Sequence, residues 1–174
     1  MSQAKARQDA ETTKLLAGAA KTIASVRYCW LSTAAGEGDV RLRPMGHLPR
    51  ASDAEDAWTI RFVTDGRSRK ASDIKCAGRA VLVFQHDPSD AYVTLTGKAT
   101  LRQEASEVRQ RWNAAYDIYF PTEVDRANAA FIEVDVERME LWIRGVTPEP
   151  YGMRATTLER DAGGGWRQVL PNLP

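Results

Sequence analysis

The sequence predicts a mainly β protein in which a six-stranded antiparallel sheet curves into a closed or nearly closed barrel with helices at its periphery. Six segments have β-type patterning, and the turn signals between them are mostly short, which favours antiparallel neighbours. Helical segments are inserted irregularly rather than after every strand, which disfavours regular βαβ winding. The chain has 174 residues, so residues 1–174 are predicted to form a single domain.

Composition and charge exclude several classes of partner. The 24 Lys and Arg residues nearly balance the 23 Asp and Glu residues, and a net charge of +1 gives no global attraction to nucleic acid or to an anionic membrane. No run approaches the roughly 18 apolar residues that a spanning helix needs, and the first residues are polar rather than signal-like. Two cysteines do not indicate a disulfide framework, so we expect a cytoplasmic protein.

The chain opens with a helix and a β-hairpin. Apolar side chains recur on one helical face, and residues 1–25 are therefore predicted to form a leading helix. Residues 27–33 are dense in β-forming side chains and predict the first strand. Gly36 and Gly38 can adopt positive φ and reverse the chain, so residues 40–48 are predicted to pair with the first strand.

The middle of the chain predicts three more strands around a short helix. Alternating or continuous apolar side chains mark the strands, and an Asp-Gly-Arg-Ser sequence supplies a turn and a candidate N-cap for the helix. In chain order the segments are a connection (48–56), the third strand (57–64), the helix (69–77), the fourth strand (79–85) and the fifth strand (92–101).

The last third predicts one helix, one long strand and an irregular arm. Val108, Trp112 and Ala115 share a helical face, which predicts a helix over residues 104–116. Residues 131–142 alternate as the sixth strand and complete the sheet. Residues 147–174 are rich in proline and contain three consecutive glycines, so they are predicted to form a C-terminal arm.

Common catalytic and metal-binding signatures are absent from the sequence. Cys29, His47, Cys76 and His86 show no paired spacing, so no metal site is predicted, and buried thiols with loop or strand-end histidines are the simpler interpretation. The segment after Asp65 resembles a nucleophile elbow only as far as its serine, because lysine stands where the tight turn requires glycine.

The strongest positive feature is a basic strand, turn and helix. Residues 61–79 contain six basic and two acidic side chains. A helix N-terminus, the hydroxyls of Thr64 and Ser68, and the cations Arg69 and Lys70 would together suit a phosphate dianion. A solvated basic helix face is the alternative interpretation of the same spacing.

These residues also carry a resemblance to a known family. The segment FVTDGRSRKASDI resembles the phosphate-binding segment of the pyridoxamine 5'-phosphate oxidase-like superfamily, whose members are FMN-binding split β-barrels. The pieces RPMG (43–46), GKA (97–99) and YFP (119–121) are similar to the general stress protein 26 branch rather than to the vitamin B6 oxidases. The resemblance spans residues 26–142 and implies a six-stranded split barrel that binds FMN.

The resemblance also implies the cofactor-binding residues. The flavin is expected to lie along Arg43, Pro44 and Met45, with Val63 and Thr64 beside the ribityl phosphate. The phosphate itself is expected to be bound by Ser68, Arg69 and Lys70, and the resemblance adds Trp142 as a further cofactor-binding residue. For Pro44 a plain edge strand is the alternative. His47 is expected near the ring or in a surface loop, and no catalytic residue stands out.

The implied function is an FMN-binding oxidoreductase related to the stress proteins, acting with a small-molecule electron donor or acceptor, and forming a homodimer. Tyr92 stands where the B6 oxidases have a flavin-contacting glutamine, and their C-terminal arginine-rich segment is reduced here to Arg144 and Arg154. A genuine pyridoxamine 5'-phosphate oxidase is therefore not expected. A non-catalytic flavin-binding or flavin-sensing stress protein is the main alternative, and a haem or deazaflavin ligand in the same barrel is another.

Overall fold

The structure is a computed structural model that describes residues 3–49 and 58–169. In this part of the chain eight strands form one antiparallel sheet. The strands are β1 Tyr28–Ala34, β2 Val40–Gly46, β3 Thr59–Asp65, β4 Arg79–His86, β5 Ala91–Arg102, β6 Ala129–Ile143, β7 Thr156–Arg160 and β8 Trp166–Val169. The α-helices of the same part are α1 Gln3–Ser25, α2 Arg69–Ala77, α3 Ala105–Arg111 and α4 Glu123–Ala127.

The first six strands form the split barrel that the sequence predicts. Strand β6 pairs with β5 along one edge, and the sheet continues through β4 and β1 to β2. On its other edge β6 pairs with β3, which brings β3 around towards β2. No strand pairing joins β2 to β3 in the described residues, although the Leu48 N–H donates to the Arg61 carbonyl at 2.8 Å just beyond β2. The barrel is therefore open between β2 and β3.

The long strand β6 changes partner halfway along one edge. Its residues 129–135 pair with β3, whereas its residues 138–141 pair with β7. The pairing of β5 with β6 shifts register between Thr96 and Gly97 at the same level. A Cβ on Gly97 would collide with the carbonyl oxygen of Asp135, so this close approach of two backbones requires glycine.

Helix α1 covers the main core. Its side chains Leu15, Ala19 and Ile23 are fully buried in one cluster with residues of β4, β5 and β6 such as Leu82 and Leu95. Burying each of the larger side chains contributes roughly 1.5–3 kcal/mol. None of the helices in the described residues has the length and apolar character needed to cross a membrane.

A second, smaller core lies beside β3 and β6. It contains Val108, Phe120 and Phe131, with Trp112 and Tyr116 packed against them. The predicted helix over residues 104–116 is wrong in its extent, since α3 ends at Arg111 and a separate 3-10 turn covers Ala114–Tyr116. The chain turns extended at Trp112, and the Asn113 side chain caps the new turn by accepting from the Ala115 N–H at 2.9 Å.

The prediction of an irregular C-terminal arm is wrong for part of its length. Strand β7 pairs with β6, and β8 pairs with β7, so the arm extends the sheet beyond the six barrel strands. The three glycines form the turn between them, where Asp161 accepts from the Gly163 and Gly165 N–H groups at 2.9 Å each. Residues 170–174 of the arm and residues 50–57 of the predicted connection lie outside the described residues.

Candidate functional site

The opening between β2 and β3 holds a cavity of about 550 Å³, a size typical of small-molecule sites. Pro44 and Met45 line it from β2, and Val63 and Thr64 line it from β3. A third wall comes from the segment that follows α3, with the aromatic side chains Tyr116, Tyr119 and Phe120. The cavity is thus bounded by two strand edges and an aromatic wall.

A second, cationic groove of about 570 Å³ adjoins this cavity. It is lined by Arg41, Leu42 and Arg43 of β2 and by Ser68, Arg69 and Lys70 at the start of α2. Lys70 lines both spaces. A ligand with an anionic end and a planar apolar part could therefore occupy both.

The start of α2 favours an anion by its own construction. Ser68 caps the helix by accepting from the Ala71 N–H at 3.4 Å, and its own O–H remains able to donate. The first turn carries Arg69 and Lys70 and no acidic side chain. Cations at a helix N-terminus oppose the helix dipole, and this unfavourable arrangement is relieved when an anion binds there.

Three of the six basic residues in segment 61–79 already have anionic partners. Arg67 binds Asp65 at 2.6 Å, Arg61 binds Glu133 at 3.1 Å, and Arg79 binds Glu137 at 2.8 Å. Neither Arg69 nor Lys70 forms an ion pair with any residue in the described ranges, and the same holds for Lys75 near the other end of α2. The charge left without a partner at the groove is therefore carried by Arg69 and Lys70.

The environment of Lys70 is unfavourable for a cation. Burial lowers the pKa of Lys70 below its ordinary value, and the nearby Arg43 guanidinium lowers it further. Both effects reflect a positive charge with too little water and a like charge nearby. An anion in the groove would reverse the electrostatic part of this shift.

Thr64 supplies a second sign of a missing partner. Its side-chain oxygen is buried, and it has no hydrogen-bond partner within the described structure. Buried hydroxyls normally have one, because leaving them unpaired costs free energy. Since Thr64 lines the cavity, a polar atom of a bound molecule could satisfy it. The residues present therefore fit a ligand that combines a phosphate with a polar ring system.

The structure brings eight of the nine predicted cofactor-binding residues to this region. Val63, Thr64, Pro44 and Met45 line the cavity, whereas Ser68, Arg69, Lys70 and Arg43 line the groove. Arg43 thus lies with the phosphate-binding candidates, although it was expected along the flavin. The reason is position along β2, since residues 41–43 line the groove and residues 44–46 line the cavity.

Trp142 is not part of the site within one chain. It lies near the end of β6, where its Cα pairs with that of Tyr92. Thr64 pairs with Ala130 near the other end of β6, twelve residues away, which is about 40 Å along an extended strand. Its expected role in cofactor binding remains a prediction that needs a second copy of the chain.

His47 lines the cavity but is held by the backbone. Its Nε2 lies 2.7 Å from the Val26 carbonyl oxygen and its Nδ1 lies 3.2 Å from that of Leu48, and its ring packs edge-on against Phe84. Cys29 lies behind the same wall, where its thiol donates to the Met45 carbonyl at 3.7 Å. Burial raises the pKa of the Cys29 thiol to about 12.

Several residues of the site were not predicted. The aromatic wall was visible in the sequence as the run that ends in Tyr119 and Phe120, but nothing in the pattern placed it beside β2. The groove also depends on Asp73, a buried carboxylate on α2 that binds Arg41 and Arg43. An acidic residue on the buried side of a basic helix is the signal that could have indicated it.

The described residues thus form an open antiparallel split barrel with a cationic groove beside an apolar cavity. The chain belongs to the family described as pyridoxamine 5'-phosphate oxidase like, whose family model matches residues 16–148. That match spans well over half of the chain. No functionally curated protein matches it.

Solved structures with the same fold include two named relatives of this family. A Clostridium acetobutylicum protein related to general stress protein 26 has a TM-score of 0.68 at 16% identity, covering 84% of this chain and 94% of its own. A pyridoxamine 5'-phosphate oxidase-related, FMN-binding protein from Nostoc punctiforme has a TM-score of 0.65 at 16% identity, covering 91% and 94%.

PhzG from Burkholderia lata, solved with tetrahydrophenazine-1-carboxylic acid, has a TM-score of 0.62 at 18% identity, covering 91% of this chain and 90% of its own. At these identities the likenesses establish the fold alone.

Replacing Thr64 with valine tests whether its hydroxyl lacks a partner in the ligand-free protein. We expect the free energy of unfolding to rise by about 1 kcal/mol, because a buried unpaired hydroxyl is removed. The matched control is Thr22→Val, since the buried Thr22 hydroxyl donates to the Gly18 carbonyl at 3.0 Å, and its loss should cost about 0.5–1 kcal/mol. Urea unfolding followed by circular dichroism measures both, and equal destabilisation by the two variants would contradict the assignment.

Proposed function

We propose that this protein binds FMN and acts as an FMN-dependent oxidoreductase of the pyridoxamine 5'-phosphate oxidase-like family. One observation carries the proposal: Arg69 and Lys70, which have no anionic partner among the described residues, stand at the N-terminus of α2, where the groove opens into an apolar cavity. The hydroxyl of Thr64 in that cavity, which has no hydrogen-bond partner in the described part of the chain, supports it independently.

The residues divide between the two ends of the cofactor. Ser68, Arg69 and Lys70, with Arg43, would hold the phosphate by charge-assisted hydrogen bonds. Pro44, Met45, Val63 and Thr64 would line the ring and its side chain. Bound FMN supplies the redox chemistry, accepting and donating electrons or a hydride, while the protein orients it and sets its electrostatic environment.

The double variant Arg69→Ala/Lys70→Ala tests the phosphate assignment. It should weaken FMN at least about a hundredfold and leave riboflavin nearly unchanged, because only FMN carries the phosphate and each charged hydrogen bond contributes roughly 1.5–3 kcal/mol. Fluorescence titration of both ligands gives the two affinities. The matched control, Lys5→Ala/Arg7→Ala, removes the same charge from exposed positions of α1. Equal losses for FMN and riboflavin would rule out the phosphate clamp.

The alternative is a stress-related protein that binds or senses flavin without turnover. The titratable side chains of the cavity lining support this alternative. Both ring nitrogens of His47 face backbone carbonyls, and Asp65 is paired with Arg67. Asp125 is bound within the capping box of α4. None of these groups is free to act as a general acid or base.

Reduction of the bound flavin distinguishes the two functions. If the protein is an oxidoreductase, NADH or NADPH should bleach the visible absorbance of bound FMN under anaerobic conditions, because hydride transfer to the flavin produces its nearly colourless reduced form. Phosphorylated B6 vitamers should not be oxidised, since Tyr92 stands in place of the flavin-contacting glutamine and the arginine-rich segment is reduced to Arg144 and Arg154. Tight FMN binding without bleaching by either nucleotide would favour the binding protein, and vitamer turnover would restore a vitamin oxidase.

We also propose that a second copy of the chain covers the site. The outward faces of β1 and β2 carry Tyr28, Trp30, Val40 and Leu42 at 43–67% exposure, and this apolar patch continues to Pro44, which is paired with Trp30 and lines the cavity. A symmetric copy would remove the patch from water. It is also the means by which Trp142, remote in its own chain, could reach a flavin.

Sedimentation of the FMN-loaded protein should give twice the monomer mass of 19.3 kDa. Trp30→Lys should produce monomers that bind FMN less tightly, because the charge lies inside the apolar patch. Met153→Lys is the matched control, since Met153 is 74% exposed in the C-terminal segment outside that patch. A monomeric wild type that retains flavin would contradict the dimer.

A further inference from the structure

The cationic groove is backed by a buried carboxylate that is not among the proposed cofactor contacts. Asp73 lies on α2 and is 8% exposed. Its Oδ1 accepts a hydrogen bond from Arg41 Nη1 at 2.7 Å. Its Oδ2 accepts from the Thr33 hydroxyl at 2.9 Å and from Arg43 Nη2 at 3.3 Å. The carboxylate therefore joins three elements, β1, β2 and α2.

Thr33 closes this network around Arg43. The Thr33 side chain is 1% exposed, and its oxygen accepts from Arg43 Nη1 at 2.7 Å while its own proton goes to Asp73. Two nitrogens of the Arg43 guanidinium are thus fixed by two buried groups. These hydrogen bonds restrict the Arg43 side chain, which is long and would otherwise be mobile, to a single position.

That position lies against the phosphate-binding candidates. Arg43 lines the groove together with Arg69 and Lys70, and it is close enough to Lys70 to contribute to the lowered pKa of that lysine. Cations left to themselves would separate, because like charges repel. A buried carboxylate behind them opposes that separation before any anion has bound.

We propose that Asp73 and Thr33 are positioning residues that hold Arg43 at the phosphate end of the cofactor site. The inference rests on the proposed function and deepens it, since it concerns how the same groove recognises a phosphate. Fixing Arg43 in advance lowers the entropy lost when FMN binds, which is how preorganised sites gain affinity. Neither residue needs to touch the ligand.

Charge and geometry make opposite predictions for Asp73. If it acts only as a nearby negative charge, its removal should strengthen the binding of an anion. If it acts by positioning Arg43, its removal should weaken binding. Thr33 carries no charge, so its hydroxyl can influence phosphate binding through geometry alone. Testing both residues therefore separates the two explanations.

The experiment measures FMN and riboflavin affinities of the full-length chain carrying Asp73→Asn, Thr33→Val or Thr33→Ser. Both Asp73→Asn and Thr33→Val should weaken FMN about tenfold, the scale of one charge-assisted hydrogen bond, and should leave riboflavin unchanged. Thr33→Ser keeps the hydroxyl and should restore FMN affinity. A purely structural role would lower the affinities for both ligands together.

Matched controls account for changes in stability. Thr22→Val removes another buried hydroxyl with a hydrogen bond, and Glu137→Gln removes another carboxylate that pairs with two cations, Arg79 and Lys98. Both lie outside the groove and should leave the FMN preference intact. Thermal melts monitor folding, and if Asp73→Asn does not fold, the Thr33 pair decides the outcome.

The two hypotheses fail in different ways. A wild-type protein with no preference for FMN over riboflavin would overturn the proposed function itself. A wild-type preference that persists in Thr33→Val, or FMN binding that tightens in Asp73→Asn, would overturn the positioning role and leave FMN binding in place.

Discussion

The change of partner along strand β6 is the constraint on which the rest of the molecule depends. One edge of β6 is committed to β5, while the other serves β3 first and β7 afterwards. Gly97 permits this because the β5 backbone can approach Asp135 where any side chain would collide. Since β3 is held by β6 and not by β2, a gap stays open between β2 and β3, and the cavity lies in that gap.

The site is assembled from elements that would each be unfavourable alone. The first turn of α2 presents cations to the positive end of the helix dipole. Within residues 3–49 and 58–169, a hydroxyl on β3 is buried without a partner and β2 has no neighbouring strand on one side. A bound phosphate and a planar ring would relieve the first two. Asp73 already stabilises the groove by neutralising part of its charge. The ligand-free site therefore lowers the stability of the protein, and a bound ligand would raise it again.

Much of this arrangement could be predicted from the sequence because the signals are local. The turn, cap and first turn of α2 follow one another within residues 65–70, and the six barrel strands are marked by their own patterning. Strands β7 and β8 were missed because each is only four or five residues long among prolines and glycines. The partners of Asp73 could not be predicted, since Thr33 and Arg43 are 40 and 30 residues away. The division of β2 between groove and cavity could not be predicted either, because it depends on which part of the strand faces α2.

The buried thiol behind the cavity wall has a chemical consequence. The thiolate is the form of cysteine that is readily oxidised or alkylated, and burial raises the pKa of the Cys29 thiol to about 12, so this thiol stays protonated at neutral pH. A reduced flavin that meets dioxygen passes two electrons to it and generates hydrogen peroxide, which converts a reactive cysteine thiolate to sulfenic acid. Protonation and burial together protect the Cys29 sulfur, so the oxidation of this thiol is disfavoured even beside a reduced flavin.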